Sequence, residues 1–132
     1  MILDTSAVVA ILFGEPEAEE FSKILSNADV CRISVANRLE LAMVLDRQAN
    51  LETAREAENL LRDACVIAEP VSLQQGIMAR QAYFDFGRGR HSAKLNYGDC
   101  FAYALSKAMD EPLLFKGNDF TKTDVRSARR GC

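Results

Sequence analysis

The sequence lacks a long apolar run, and it also lacks a basic segment near its start. No stretch approaches the roughly 18 consecutive apolar residues that a membrane-spanning helix requires. Residues 1–20 contain several acids and no lysine or arginine, so they do not have the pattern of a secretory signal peptide. We therefore expect a cytoplasmic protein with no membrane partner.

The sequence also lacks paired cysteine spacings and an excess of positive charge, and it has few histidines. Cys31, Cys65, Cys100 and Cys132 follow no metal-binding spacing, and the first three are predicted to be reduced, small buried hydrophobes. A formal net charge of −3 excludes a protein that coats nucleic acid by bulk electrostatics, although it allows an enzyme with local, metal-assisted contacts. His91 is the single histidine, and no histidine, serine or cysteine is placed as an activated nucleophile.

What the sequence has is a regular alternation of short apolar strands and longer helical patterns. Strands are predicted at 1–4, 30–33, 65–71 and 112–117. Helices are predicted at 7–13 after a Thr5 or Ser6 cap, 16–28, 34–49, 51–64, 72–86 and 97–110. With 48% hydrophobic residues, the pattern predicts a three-layer α/β/α sandwich with a mainly parallel sheet, in a single domain over 1–132 that frays from about residue 126.

Four acids lie at places where such a fold gathers ligands. Ligands bind beyond the carboxyl ends of parallel strands, so the strand-to-helix junctions are the places to search. Asp4 ends the first strand, Asp119 follows the fourth, and Asp99 begins the helix that leads to the fourth strand. Glu40 lies about two turns inside a helix with apolar neighbours on its flank, so it needs a compensating partner.

Each acid alone also fits a purely structural role. In these roles Asp4 is a strand-end turn residue and Asp99 is a helix cap. Glu40 lies at the border of an amphipathic helix, and Asp119 forms an Asx-turn. If the four carboxylates converge, these separate structural roles no longer explain the acids well, because like charges raise one another's pKa values and destabilise the fold. A divalent cation resolves that repulsion, and carboxylate oxygens favour Mg²⁺ or Mn²⁺.

Three stretches, in order, carry a resemblance that covers nearly the whole chain. They are MILDTSAVVAILFGEPEAEEF, SVANRLELAMVL and GRGRHSAKLNYGDCFAYALSKAMDEPLLFKGNDFTKTD. These stretches resemble the successive motifs of PIN-domain ribonucleases, specifically the VapC-like toxins of bacterial type II toxin–antitoxin pairs. The D-T-S-A opening alone is weak, but the helical glutamate, N-Y-G-D-C and G-N-D-F together make the resemblance specific.

The resemblance implies a Mg²⁺-dependent endoribonuclease, with Mn²⁺ able to substitute, that forms homodimers and is silenced by a cognate antitoxin. The family's acidic quartet falls on Asp4, Glu40, Asp99 and Asp119, and the metal is held most directly by Asp4 and Asp99. A water activated by the ion would attack phosphorus in line and leave 5′-phosphate and 3′-hydroxyl ends. No acid of the quartet is missing, so nothing indicates an inactive member.

Other residues near the acids have two interpretations each. Thr5 and Ser6 either cap a helix or bind an outer-shell water or the scissile phosphate, and Asn118 either positions Asp119 or touches the RNA backbone. A polar loop just before Asp99 contains four basic residues, Arg88, Arg90, His91 and Lys94. These are either a solvated face or a set of phosphate contacts.

Aromatic and apolar stripes leave further alternatives open. Tyr83, Phe84 and Phe86 have helical spacing that favours packing over base stacking. The helices at 16–28 and 34–49 are the candidates for an antitoxin groove, although core packing explains their apolar stripes equally well.

Two other functions use similar acids. A structure-specific DNA nuclease would need an additional helical arch, which is hard to accommodate in 132 residues. A phosphoacceptor receiver domain has strand-end acids, Mg²⁺ and a lysine after a late strand, a position that Lys116 fits. A receiver also needs paired acids after its first strand and an aspartate after its third, and the segment VIAEPV offers no aspartate.

Overall fold

The fold consists of six helices and four short strands within residues 1–48 and 51–129, which the computed structural model describes. The helices are α1 Thr5–Leu12, α2 Ala18–Asn27, α3 Val35–Gln48, α4 Leu51–Asp63, α5 Leu73–Phe86 and α6 Tyr97–Met109. The strands are β1 Ile2–Leu3, β2 Arg32–Ser34, β3 Ile67–Glu69 and β4 Leu113–Leu114, and a 3₁₀ turn spans Phe120–Lys122. None of these helices is both long enough and apolar enough to cross a bilayer.

The four strands form one sheet in the order β3–β2–β1–β4, and every pair is parallel. Ile2 is in register with Arg32 on one side and Leu113 on the other, so β1 lies in the middle of the sheet. Parallel neighbours require helical crossovers, which the alternating pattern supplies. The central position of β1 beside β4 brings their carboxyl ends together, and this edge carries the acids.

Helices cover both faces of the sheet, which confirms the predicted three-layer sandwich. Side chains of successive strand residues point to opposite faces. Leu3 accordingly joins a core with residues of α1 to α4, whereas Ile2 joins a second core with residues of α5 and α6. Phe21 and Leu41 belong to the first core, and Leu105 belongs to the second.

The cap of α1 differs from the predicted one. Asp4 is the N-cap and has extended backbone angles. Its side chain accepts a hydrogen bond from the Ser6 N–H at 3.0 Å. The helix therefore begins at Thr5, two residues earlier than predicted. This arrangement frees the hydroxyls of Thr5 and Ser6 for other contacts, because the strand-end acid performs the capping.

Two further differences from the prediction concern the C-terminal segment and Cys65. Residues 126–129, within the predicted frayed tail, run along β4: the Leu113 N–H donates to the Arg126 carbonyl at 2.8 Å, and the Ala128 N–H donates to the Leu113 carbonyl at 2.9 Å. Cys132 lies outside the described residues. The prediction that Cys65 is buried is wrong, because it is exposed in a left-handed conformation after α4.

Candidate active site

Asp4 is held rigidly at the carboxyl edge of the sheet. Its side chain is buried, and its Oδ2 accepts hydrogen bonds from the Ser6 N–H at 3.0 Å and the Ser6 hydroxyl at 2.5 Å. The Ser6 Oγ in turn accepts the Lys116 N–H at 3.0 Å. Ser6 therefore connects the segment after β4 to the Asp4 carboxylate, and its hydroxyl supports the acid instead of capping the helix.

Glu40 lies in the second turn of α3 and has the partners that its apolar flank requires. Its Oε1 accepts the Thr5 hydroxyl at 2.5 Å and the Asn37 Nδ2 at 3.2 Å. The same Nδ2 donates to the Gly98 carbonyl at 2.9 Å, so Asn37 connects α3 to α6. Asn37 is fully buried and was not singled out from the sequence, although its position three residues before Glu40 places both on one helical face.

Gly98 makes room for the Glu40 carboxylate. A Cβ atom at position 98 would lie 2.6 Å from Glu40 Cδ and 2.8 Å from Glu40 Oε1, closer than side-chain atoms approach one another. The Gly98 position therefore requires glycine for a steric reason and not for a turn. The glycine in the NYGDC segment lets the start of α6 approach α3.

Asp99 has a capping role and a place in the acidic cluster at once. Its N–H donates to Asn96 Oδ1 at 2.9 Å, and its Oδ2 accepts the Asn96 N–H at 3.0 Å, which forms a reciprocal capping box. The two interpretations that the sequence left open are therefore compatible. One carboxylate oxygen stabilises the helix start, and the side chain remains half-buried beside the other acids.

Asp119 and Asn118 lie on the more open side of the cluster. Both are exposed, and they immediately precede the 3₁₀ turn. The Asn118 carbonyl accepts the Thr121 hydroxyl at 2.6 Å, and the Asp119 carbonyl accepts the Lys122 N–H at 3.4 Å. These bonds hold the backbone of the turn and leave the Asp119 carboxylate facing solvent.

The four carboxylates share one electrostatic environment. Burial raises the pKa of Asp4 to about 6, with a smaller contribution from the Glu40 charge, against the lowering effect of the Ser6 hydrogen bonds. The pKa of Asp99 is raised to about 7, chiefly by burial and also by the charges of Asp4, Glu40 and Asp119, against the lowering effect of the hydrogen bond from the Asn96 N–H. Since all three other acids act on Asp99, the structure brings the predicted quartet to one place.

Compensating positive charge is missing around this cluster in the part of the chain that the structure describes. Among the described residues, no lysine, arginine or histidine lies within ion-pair distance of any quartet carboxylate. Lys116, which follows β4, pairs with Glu15 at 3.0 Å and not with an acid of the quartet. The cluster therefore keeps an uncompensated negative charge of the kind that a cation relieves.

The basic loop is anchored at both ends and reaches the start of α6. The Arg88 N–H donates to the Leu95 carbonyl at 2.9 Å, and the Leu95 N–H donates to the Phe86 carbonyl at 3.0 Å. Within the loop, the His91 Nδ1 accepts the Ala93 N–H at 3.0 Å, and the Arg90 guanidinium lies over the Phe84 ring at 4.9 Å. The exposed cations are thus presented from an ordered loop that ends at the Asn96 cap.

Comparison with known proteins identifies the family. The PIN domain sequence profile matches residues 1–126. Ribonuclease VapC28 of Mycobacterium tuberculosis is 49% identical over 129 residues, which cover 97% of each chain. The chain belongs to the VapC ribonucleases of the PIN-domain family. Ribonuclease VapC42 of the same organism is 44% identical over 129 residues, which cover 97% of this chain and 98% of the relative.

A solved VapC structure has the same fold. Mycobacterium tuberculosis VapC20, described as a toxin that cleaves the sarcin–ricin loop, superposes with a TM-score of 0.76 and 17% sequence identity. The match covers 94% of this chain and 95% of VapC20. At that identity the likeness concerns the arrangement of strands and helices alone.

The donor set of this VapC family member fits a hard divalent cation. All four candidate ligands are carboxylates, and Mg²⁺ is commonly held by one or two carboxylates together with waters and substrate phosphates. Within residues 1–48 and 51–129, no three acidic, histidine or cysteine side chains form a ready-made cage. A site built on two direct ligands, Asp4 and Asp99, agrees with both observations.

The raised pKa values predict an unusual pH dependence of stability in this VapC family member. In metal-free buffer we expect the free energy of unfolding to fall between about pH 4 and pH 7, because both folded-state pKa values exceed the ordinary aspartate value of 3.8. The folded state then holds protons that the unfolded chain has released, so stability present at low pH is lost as the two carboxyls ionise. Saturating Mg²⁺ should suppress this loss.

Denaturant unfolding across this pH range, in EDTA and in Mg²⁺, measures the effect. The Asp4→Asn variant, which lacks one of the two titrating groups, should lose less stability on ionisation. A metal-free stability that rises with pH over the same interval would contradict the electrostatic account.

Proposed function

We propose that this chain is a Mg²⁺-dependent endoribonuclease and the toxin of a toxin–antitoxin pair. Its membership of the VapC ribonucleases supports the reaction class. The observation that carries the metal dependence is the clustering of the acids: Asp4, Glu40 and Asp119 are all close enough for their charges to act on Asp99, and no basic side chain among the described residues forms an ion pair with any of the four. Four acids kept so close at a cost in stability are explained by an ion that binds them.

The four acids divide into two proposed pairs. Asp4 and Asp99 hold the ion, because both are partly or fully buried and both are fixed by local hydrogen bonds. When bound, Mg²⁺ would neutralise charge at the phosphate and supply an activated water as the nucleophile. In this proposal Glu40, which Thr5 orients, would serve as the proton acceptor, and Asp119 would orient the substrate from the open side.

The hydroxyls and amides around the acids have positioning roles in this proposal. Ser6 orients Asp4, and Asn37 orients Glu40 relative to the start of α6. Asn118 sets the turn that carries Asp119. Thr5 and Asn37 occupy one oxygen of Glu40, and its other oxygen lies against Gly98.

Incubation with labelled RNA, labelled DNA and acetyl phosphate, each with and without EDTA, tests the function. We expect EDTA-sensitive cleavage of RNA that leaves 5′-phosphate and 3′-hydroxyl ends, with Mn²⁺ restoring activity after chelation. Preferential cleavage of branched DNA would support the alternative of a structure-specific DNA nuclease. A stable aspartyl phosphate without cleavage would reject the proposal in favour of a signalling domain.

We also propose that the basic loop contacts RNA phosphates through Arg88, Arg90, His91 and Lys94. Reversing one charge, in Lys94→Glu, should weaken RNA binding and reduce the slope of log K against log salt by about 0.7 for a single strand. The exposed Lys23→Glu on α2 is the matched control and should leave the slope unchanged. Fluorescence anisotropy at several salt concentrations measures both, and equal slopes for the two variants would remove the loop from the interface.

Of the two helices predicted to form an antitoxin groove, we propose the third helix as the antitoxin surface. Phe21 and Leu25 of α2 are buried in the core, so the apolar stripe of α2 is already used. The third helix instead exposes Val35, Leu39 and Met43, which are spaced four residues apart and lie on one face. An antitoxin helix docked on this stripe would lie beside Glu40 and obstruct the acidic cluster.

Replacing Leu39 with glutamate should weaken inhibition by the cognate antitoxin about 10- to 100-fold, because a charge would enter an apolar contact. Cleavage of RNA by the variant alone should persist, since the Leu39 side chain is exposed. Leu51→Glu on α4 provides a control at another exposed leucine. Titration of cleavage with antitoxin measures the change, and full inhibition of the Leu39 variant at wild-type concentrations would contradict the assignment.

A homodimer is also proposed, because the resemblance to the VapC-like toxins implies one. Light scattering on the purified chain gives the mass directly, and a monomer at high concentration would reject the dimer.

A further inference from the structure

A cleft of about 630 Å³ opens between α5 and α6. Its walls include the aromatic rings of Tyr83, Tyr97 and Phe101, and Gly76 leaves one side without a side chain. Two exposed arginines, Arg80 and Arg88, also line it. The cleft therefore combines aromatic surface with positive charge, which neither hydrophobic core explains.

The cleft adjoins the acidic quartet through the start of α6. Asn96 lines the cleft and exchanges two hydrogen bonds with Asp99, at 2.9 and 3.0 Å. Cys100, another lining residue, directly follows Asp99 in α6. The cleft and the acidic cluster therefore adjoin each other at the first turn of α6.

The aromatic rings are exposed yet held in place. Tyr97 is 80% exposed and contacts Phe101 edge to face, with ring centroids 4.9 Å apart. Tyr83 is packed against Gly87, where a Cβ would lie 2.7 Å from Tyr83 Cδ1, and its hydroxyl donates to the Arg88 carbonyl at 3.4 Å. Rigid, accessible aromatic faces are the surfaces on which unpaired nucleobases stack.

The arginines complement a phosphate. The ion pairs that arginines form in the described part of the chain involve other positions, so neither Arg80 nor Arg88 has a carboxylate partner there. Unpaired guanidinium groups beside an aromatic wall match the charge of a nucleotide better than that of an apolar protein segment. The positive charge of the cleft therefore favours a nucleotide over an apolar protein segment.

On the basis of the ribonuclease function proposed above, we propose that this cleft is a subsite for one unpaired nucleobase of single-stranded RNA. The base stacks against Tyr83, Tyr97 or Phe101, and the adjoining phosphate pairs with Arg80 and Arg88. The subsite thereby selects unpaired segments and positions the neighbouring phosphodiester at the carboxylates.

Gly76 provides a direct test, because a Cβ added there meets no atom within 4 Å. Gly76→Phe should fill the cleft without displacing the protein's own side chains, whereas Gly76→Ala should leave it open. The probe is 2-aminopurine riboside 5′-monophosphate, whose fluorescence falls on stacking, with ribose 5-phosphate as a competitor that lacks a base. We expect the wild type and Gly76→Ala to quench the probe, and Gly76→Phe to bind it at least about tenfold more weakly.

A second pair of variants does not depend on tolerance at Gly76. Tyr97→Ala should weaken probe binding about tenfold and raise the KM for a single-stranded RNA while leaving kcat near its original value, and Tyr97→Phe should retain wild-type behaviour. Unchanged KM values in Tyr97→Ala and Gly76→Phe, with RNA cleavage intact, would overturn the subsite and leave the ribonuclease function standing.

Other outcomes also decide the proposal. Competition by ribose 5-phosphate as strong as that by nucleotide would reduce the site to a phosphate contact and overturn base stacking. A change of mass in light scattering for Gly76→Phe, with nucleotide affinity unchanged, would assign the cleft to a second copy of the chain. Probe binding without any RNA cleavage by the wild type would instead count against the proposed function, so the two failures are distinguishable.

Discussion

Replacing Asp4 with asparagine is expected to abolish RNA cleavage and, in metal-free buffer, to stabilise the fold. The side chain is buried, and its pKa is raised to about 6, so near pH 7.5 the folded protein carries an unfavourable charge there. Asparagine keeps an oxygen for the Ser6 hydrogen bonds and removes that charge. The shift corresponds to an upper limit of about 3 kcal/mol of stability gained at pH 7.5.

RNA cleavage by Asp4→Asn should decrease, although the stability of this variant increases. Loss of a direct metal ligand removes several kcal/mol of transition-state stabilisation, so cleavage should fall by at least about 100-fold. Addition of Mg²⁺ should raise the melting temperature of the wild type and have a much smaller effect on Asp4→Asn. Labelled-RNA cleavage and thermal unfolding, each with and without Mg²⁺, measure both effects on the same preparations.

The exposed Asp46 on α3 supplies the matched control for this result. Asp46→Asn makes the same chemical change outside the cluster, so it should alter neither cleavage nor the response to Mg²⁺. Wild-type cleavage by Asp4→Asn would refute the assignment of Asp4 as a ligand. A lower metal-free melting temperature in Asp4→Asn would refute the electrostatic account of its burial.

Replacing Gly98 with alanine is expected to damage both stability and activity. The added methyl group would occupy the position of the Glu40 carboxylate, whose Oε1 is held by Thr5 and Asn37. The carboxylate must leave these partners, at a cost of about 1–3 kcal/mol for overpacking. Cleavage should fall by at least about 100-fold if Glu40 acts as the base.

A double-mutant cycle separates the steric effect from a general weakness of α6. In the Glu40→Ala background, Gly98→Ala should cost little stability, because the clashing carboxylate is gone, while activity should remain lost. Gly76→Ala makes the same change at a helical glycine with open space around it and should be neutral or stabilising by about 0.5–1 kcal/mol. Equal destabilisation by Gly98→Ala in both backgrounds would show that Glu40 is not the obstacle.

The order of strands and helices could be predicted because it depends on local periodicity. Helical apolar spacing identified the six helices of the described residues, and the helix predicted at 72–86 is α5, which Ser72 caps by accepting a hydrogen bond from the Gln75 N–H at 3.1 Å. The predicted start of α1 was wrong because several neighbouring side chains there compete to cap the helix. At the start of α1, three consecutive side chains can each cap, and Asp4 prevails since its carboxylate reaches the Ser6 N–H.

The positions of the acids along the chain were predictable, but their partners were not. Asp4 and Asp99 follow from the rule that parallel strands end at a common edge. The contacts of Glu40 join α3 to α1 and α6, segments 35 and 58 positions away in the sequence at Thr5 and Gly98. Asn37 carries no composition signal that distinguishes it from an ordinary surface asparagine.

The sequence by itself determined the alternating strand and helix pattern, the parallel sheet and the four acids at or near its carboxyl edge. Each of these follows from residue spacing within one segment, where geometry is set by the backbone. Only the tertiary structure decided that Gly98 accommodates Glu40, that Ser6 and Thr5 serve the acids, and that α5 and α6 leave an aromatic cleft. Such contacts depend on sub-ångström packing between segments distant in the chain, and packing is a property of the folded whole.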